Sequence, residues 1–411
     1  MNQKELFKKA LQRTFMNYEE LAVLTLVGIV IGLCVSLFEV LFGYGLEYMI
    51  EIHHRTKNWL LLILPLAGLL IVYLFQHTGK DCMKGMNLVF EVSQGISKRI
   101  PKRMVPLMIL GTWISNLIGA SVGREGVAMQ IGAAISDTFS KPFLKYKDAK
   151  SIFLVVGMAA GFSGLFGTPF TAIFFAMEVL VAGVLKYRAM APTISSSFSA
   201  AWLSSKFGIY KKFENIQFPF EITWKMLLAL VGLGILFGIV GGLFAYTMKK
   251  VKRAMKRKIP DPYKRIFYGG IVIAIVLFVW NQGRYSLLGE NLIDAALRYG
   301  TIYWYDWIGK FVCTIFCLSI GFMGGEVTPL FAIGSSLGFM VASFFGFPPV
   351  MGAALGYSAV FGAGTNTFLA PVMIGMEIFG FQYFPLFFIV CAVAHIVNRH
   401  QSIYALQKRE G

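Results

Sequence analysis

Charge is scarce in this chain: Asp, Glu, Lys and Arg make up only 14% of its 411 residues, against 56% hydrophobic residues. A soluble protein of this length needs far more polar surface to cover its core, so that class is excluded. Acidic residues are the rarer sign, 21 against 38 basic ones. The resulting +17 would point to nucleic acid only if a soluble domain carried it, and no such domain is visible, so nucleic acid is not an expected partner. The short alternating segments of a β-barrel are missing too. No histidine stands at ligand spacing from Cys313 and Cys317, no HExxH-type motif occurs, and "MNQKELFKKALQRTF" lacks the apolar core of a cleavable signal. Cys34, Cys82, Cys313, Cys317 and Cys391 lie in or beside apolar runs and read as small hydrophobes. No metal and no cofactor is expected.

What the chain has instead is long apolar runs. "LAVLTLVGIVIGLCVSLFEVLF", "WLLLILPLAGLLIVYLF", "MLLALVGLGILFGIVGGLFAY" and "IFYGGIVIAIVLFVW" approach or exceed the roughly 20 residues that span a bilayer. These read as an all-α polytopic membrane protein. Its basic residues cluster in short stretches between the runs, "SKRIPKR", "KPFLKYKDAK" and "KKVKRAMKRK", with "QKREG" at the end. By the positive-inside rule these loops and both termini are expected in the cytoplasm, in a multi-pass protein of the cell membrane. Residues 1–18 place Leu6, Phe7, Ala10, Leu11 and Phe15 at helical spacing among Lys4, Lys8, Lys9 and Arg13, which predicts a basic amphipathic helix on the cytoplasmic face.

The chain also repeats itself. "VGREGVAMQIGAAI" aligns with "MGGEVTPLFAIGSSL", placing Gly123 on Gly325 and Ile131 on Ile333. Further on, "VGMAAGFSGLFGTPFTAIFFAMEV" aligns with "LGYSAVFGAGTNTFLAPVMIGMEI", placing Gly157 on Gly356, Thr168 on Thr367 and Glu178 on Glu377. The expected division is a first transmembrane half at 19–206, a linker at 207–221, a second half at 222–400 and a C-terminal end at 401–411. Two related halves around a midplane site follow. An odd number of crossings in each half makes them inverted, and that arrangement is expected.

Glycine-rich stretches interrupt the apolar runs at Gly85–Val89, Gly123–Val127 and Gly324–Pro329. Non-helical backbone at membrane depth persists only where it lines a cavity or is buried in protein. Helices beginning there aim free N–H groups and positive dipole ends inward, which suits an anion. Glu125 and Glu326 sit at two of these starts, and intramembrane carboxylates are functional candidates. A helix cap is the bland alternative for each.

At this point the residues resemble the CLC anion channels and transporters. "GREGVAMQIG" is similar to the family's G-[KR]-E-G-P signature, with Val127 in place of proline. "GMNLV" stands where the family has G-S-G-I-P, "GGEVTP" where it has G-x-F-x-P, and Tyr404 where an anion-coordinating tyrosine is usual. The order agrees along nearly the whole chain. Met86 replaces the coordinating serine, and Val327, preceded by Glu326, replaces the phenylalanine; this pattern is similar to the fluoride-transporting CLC-F branch. Val179 occupies the place of an internal proton-transfer glutamate in many chloride/proton antiporters, so no proton route carries over from them.

The resemblance implies a homodimer with one pathway per subunit, exporting fluoride against inward protons. Glu125 would be the gate and proton carrier, and Glu326 would handle protons or fluoride. Met86, Asn87, Gly126, Val127, Val327, Thr328 and Tyr404 would surround the ion. Arg124 reads as a structural or cytoplasm-facing charge, and Glu178 and Glu377 as matched packing or capping residues; Glu39 has no assigned role. A chloride channel or antiporter on the same fold is the alternative. An intramembrane enzyme would need a nucleophile–histidine pair or a metal motif beside the carboxylates, and neither is present.

Overall fold

The computed structural model describes residues 3–56, 59–209, 223–298 and 300–409, with side chains described from Tyr18 onward. The first half contributes α1 (Gln3–Arg55), α2 (Leu64–Thr78), α3 (Met86–Ser93), α4 (Met104–Leu117), α5 (Glu125–Phe139), α6 (Ala149–Phe166), α7 (Pro169–Val179) and α8 (Met190–Lys206). The second half answers with α9 (Trp224–Lys258), α10 (Pro262–Val279), α11 (Glu290–Leu297) and α12 (Asp306–Ile320). It continues with α13 (Val327–Ala342), α14 (Pro349–Thr365), α15 (Leu369–Phe379) and α16 (Phe384–Val397). Eight elements face eight in the same order. Six helices are long and apolar enough to cross a membrane among the described residues.

The halves are inverted, and two local contacts make that visible. Gly123 and Gly325, equivalent positions in the repeats, pair as an antiparallel bridge: Gly123 N–H donates to Gly325 O at 2.6 Å and Gly325 N–H to Gly123 O at 2.7 Å. Near the ends of α7 and α15, each helix's glutamate caps the start of the other. Glu178 accepts from the N–H groups of Phe368, Leu369 and Ala370, at 2.6 Å for Phe368. Glu377 accepts from the N–H groups of Phe170 and Thr171 at 3.0 and 2.7 Å and from the Thr171 hydroxyl. Segments that pair this way run antiparallel, as an axis in the membrane plane requires.

Small residues let the interior helices approach closely. A Cβ on Gly132 would fall 2.0 Å from Gly157 O, and one on Gly334 2.0 Å from Gly356 O, so the α5–α6 contact recurs as α13–α14. The core these helices form is continuous: buried residues from both halves make one hydrophobic cluster.

One expected boundary falls inside a helix of the structure. The basic segment over 1–18 is helical from Gln3 but is not a separate element, because α1 continues unbroken to Arg55. No glycine or proline stands between Gln3 and Val27 to stop it. The linker expected at 207–221 lies mostly outside the described residues. Of the C-terminal end expected at 401–411, residues 401–409 fold back into the protein. There Lys408–Arg409 (β2) pairs in parallel with Val181–Ala182 (β1), the small sheet of an otherwise helical fold.

Candidate functional site

The three glycine-rich interruptions are helix starts, as expected: α3 begins at Met86, α5 at Glu125 and α13 at Val327. Gly85 adopts φ +56, a left-handed conformation that favours glycine and lets the chain turn sharply into α3. The antiparallel glycine bridge brings the starts of α5 and α13 face to face. Their first-turn N–H groups and dipoles converge on one buried point.

A carboxylate occupies that point. Glu125 is fully buried, and its side chain lies across the start of α13 rather than capping its own helix alone. Thr328 N–H donates to Glu125 Oε2 at 2.8 Å, the Thr328 hydroxyl donates to the same carboxylate, and Arg124 N–H donates to Oε2 at 3.2 Å. Thr328, expected as a donor to the ion, gives both of its donors to Glu125 in this structure. While Glu125 holds those donors, they are not free for a second anion.

Glu326 mirrors this placement from the other repeat. It is the residue before α13, half-buried, and its Oε2 would lie 3.7 Å from a Cβ on Gly126 in the first turn of α5. The absence of a side chain at Gly126 leaves room for that carboxyl. Each repeat's helix start therefore faces the other repeat's glutamate. Val127 and Val327 are fully buried and close the first turns on their apolar sides.

The remaining predicted residues lie around α3 and the C-terminal segment. Met86 is buried and Asn87 half-buried at the start of α3. Tyr404 is 5% exposed, its ring centroid is 5.5 Å from that of Phe90 in α3, and its hydroxyl has no hydrogen-bond partner. The segment is tied there by Ile403 N–H to Gly364 O at 2.9 Å and by Gln94 Nε2 to Leu406 O at 2.7 Å. A buried hydroxyl left without a partner is a donor in reserve. Gln130 of α5 is similar: its Oε1 is buried without a partner and would lie 3.5 Å from a Cβ on Gly85. Sequence reasoning missed Gln130, because a glutamine inside a helix carries no motif of its own.

On the other side of Glu125 a cavity of about 510 Å³ opens, lined by Tyr44, Glu47, Arg124, Phe166, Glu290 and Tyr357 among others and reaching Thr328. Of the two readings of Arg124, a structural charge or a cytoplasm-facing one, the ion pair it makes fits the structural one. Its guanidinium pairs with Glu290 at 2.9 Å, stands 5.4 Å from the Phe166 ring centroid and faces this vestibule. At the other end of α6 from Phe166, Lys150 donates to Lys98 O, joining two of the basic loops. Glu290 lies 166 positions from its partner and at no repeat-matched site, so only the folded chain reveals it. Behind the vestibule, Tyr357 stacks on Phe331 at 4.0 Å, Phe331 meets Phe361 at 5.0 Å, and Phe361 meets Phe175 at 5.2 Å. Aromatic edges thus run from the vestibule into the core.

Comparison with known proteins agrees with this architecture. Residues 66–399 match the voltage gated chloride channel family. A protein named chloride/fluoride channel protein, from Pseudomonas syringae pv. tomato, is 34% identical over 94% of this chain and 86% of its own length. The crystal structure of a CLC-type fluoride/proton antiporter superposes with a TM-score of 0.93 at 44% identity, covering 96% of this chain and 99% of that one. A slow cyanobacterial Cl−/H+ antiporter shares the fold, with a TM-score of 0.77 at 20% identity over 92% of this chain and 94% of its own. These relatives are channels or exchangers by name. With facing helix starts, an inverted pair of halves and a family match over most of its length, the chain is a member of the voltage gated chloride channel, or CLC, family.

Proposed function

We propose that this protein is a fluoride/proton antiporter that exports fluoride from the cytoplasm, working as a homodimer in the cell membrane with both termini cytoplasmic. The observation that carries the reading is the Glu125 carboxylate on the donors at the start of α13. A carboxylate and a fluoride ion ask for the same hydrogen-bond donors, so only one of them can hold the site.

Exchange follows from that competition. Ionised Glu125 takes the Thr328 N–H and hydroxyl and excludes the halide. Protonated, it loses its charge-assisted bonds, which are about twice as strong as neutral ones, and can leave the site. Fluoride then enters where the carboxylate had been, meeting the freed Thr328 donors. Each visit by fluoride thus requires a proton on Glu125, which couples the two movements. Glu326, facing Gly126, is a second acceptor beside the same point and hands protons or fluoride onward. Tyr404, Asn87 and the first N–H groups of α3 supply the donors on the side of the basic loops.

Selectivity rests on what stands at Met86. The side chain offers no hydroxyl, so the larger and weakly held chloride gains nothing there, while fluoride binds on backbone N–H groups and the Tyr404 hydroxyl. The 44% identity to a fluoride/proton antiporter over nearly the whole chain supports this choice over chloride exchange. Purified protein in liposomes, read with fluoride and chloride electrodes in parallel, should release fluoride far faster than chloride. Met86→Ser should raise chloride release relative to fluoride. Equal release of both halides by the wild type would contradict the fluoride assignment and favour the chloride exchanger.

A further inference from the structure

The antiport scheme uses Glu125 and Glu326 and leaves a third membrane-embedded carboxyl, Glu39, without a task. Glu39 lies in the apolar part of α1, is fully buried, and neither carboxyl oxygen has a hydrogen-bond partner. Glu178 and Glu377 show the usual arrangement for such a group in this protein, each collecting backbone N–H donors. Glu39 instead fills a slot opened by two glycines of α6. A Cβ on Gly161 would stand 3.4 Å from Glu39 Oε1, and one on Gly164 would stand 3.4 Å from its Cβ and Cγ. The Ser204 hydroxyl of α8 would lie 3.4 Å from that same Gly164 Cβ and also has no partner.

No cation on the neighbouring helices neutralises this carboxyl. α4 carries no ionisable side chain, and α6 carries only Lys150 at its start, directed to Lys98 O. The single charged residue of α8, Lys206, stands over the Trp202 ring. On α5, Glu125 is held by Thr328, and Asp137 accepts from Ile100 N–H. An ionised carboxylate with neither donors nor a cation costs several kcal/mol in such a place. Such a place favours the neutral acid over the ion.

Its position gives that proton somewhere to come from and somewhere to act. Gly43 and Glu47, one and two turns further along α1 on the same face, both line the vestibule, as does Leu165 beside Gly164. At 1.5 Å per residue, Glu47 and Glu39 are about 12 Å apart along the axis. Toward the gate, the Gly161 position that touches Glu39 Oε1 would also place a Cβ 2.2 Å from Ala128 O, one turn into α5 from Glu125.

We propose that Glu39 is a proton-holding residue of the exchange cycle, loaded from the vestibule and serving the gate helix. The step forms one O–H bond at Glu39 as one O–H bond breaks in vestibule water or at Glu47, and the reverse occurs on discharge. No other bond changes. It places a carboxyl on the proton side of the exchange in a chain that has Val179 where many chloride/proton antiporters have one. The inference rests on the antiport reading above.

The test uses the full-length dimer in liposomes with fluoride and proton fluxes recorded together over a range of pH on the vestibule side. Glu39→Gln keeps the shape and cannot exchange the proton. It should lower protons moved per fluoride at neutral and alkaline pH by about tenfold, with less effect in acid, and Glu39→Asp should recover part of the loss. Should Glu39→Gln fail to fold, the Glu39→Asp profile, displaced along the pH axis, carries the test. Infrared spectroscopy supplies a readout independent of transport: wild type should show a buried carboxylic acid C=O band that Glu39→Gln removes. Flux profiles of both variants superimposable on wild type, or an unchanged band, would overturn the proposal. A wild type that moves no protons with fluoride would instead overturn the antiport reading, while the band still reports whether Glu39 holds its proton.

Discussion

A carboxylate at Glu125 is tolerable in the membrane because three donors from two repeats meet it: Thr328 N–H, the Thr328 hydroxyl and Arg124 N–H. Hydrogen bonds to a charged group contribute roughly 1.5–3 kcal/mol each, which sets the scale of what a competing fluoride must replace. Tyr404 stands in contrast, with a buried hydroxyl that satisfies nothing. Removing that oxygen breaks no hydrogen bond, so Tyr404→Phe should fold and assemble as wild type does. It should slow fluoride turnover by about tenfold, the effect of losing one hydrogen bond to the ion. A rate unchanged by the substitution would leave Tyr404 as a packing residue against Phe90 and not the surface anchor its sequence position also allowed. The broken helix starts that carry Glu125 and Glu326 were legible in the sequence, because the glycine-rich interruptions carry their own signal. What was not legible is whose donors the gate takes. That depends on Gly123 meeting Gly325 across about two hundred residues, and no local pattern encodes a crossing.

Helices α7 and α15 hold each other by their ends. Matched glutamates at Glu178 and Glu377 were readable as a shared capping need, but the reciprocity was not, since a residue near a helix's C-terminus has no sequence mark pointing to another helix's N-terminus. Within lipid the N–H groups they satisfy have no water to turn to. Glu377→Ala strands the N–H groups of Phe170 and Thr171 and the Thr171 hydroxyl. At about 1–3 kcal/mol for a buried group left unpaired, it should lower the melting temperature of the purified protein by several degrees or more. Glu178→Ala should do the same through the start of α15. Melting at the wild-type temperature in both variants would show that the caps contribute nothing. The continuity of α1 through residues 3–55 was the element-scale surprise. Amphipathic and apolar segments differ in face but not in backbone, so a change of pattern near Tyr18 does not by itself end a helix.

At the scale of the whole molecule, composition and apolar runs were enough for the membrane class, and internal similarity was enough for two halves. The inverted relation needed the structure, where equivalent segments pair antiparallel. The vestibule also needed it: Arg124 and Glu290 come from different halves and are not equivalent positions of the repeat. The reason for two inverted halves is now physical. Each brings one helix start to the centre, and together they set donors there that the Glu125 carboxylate takes up. The account's central claim is that Glu125 makes fluoride and proton movements exclusive of one another. Its most direct measurement is dye-reported proton movement into sealed liposomes under an imposed fluoride gradient, with no proton gradient at the start. Wild type should drive protons uphill. Glu125→Gln, fixed in the uncharged form, should drive none and should exchange fluoride far more slowly. Undiminished fluoride-driven proton pumping by Glu125→Gln would contradict the account and leave Glu125 as a helix cap.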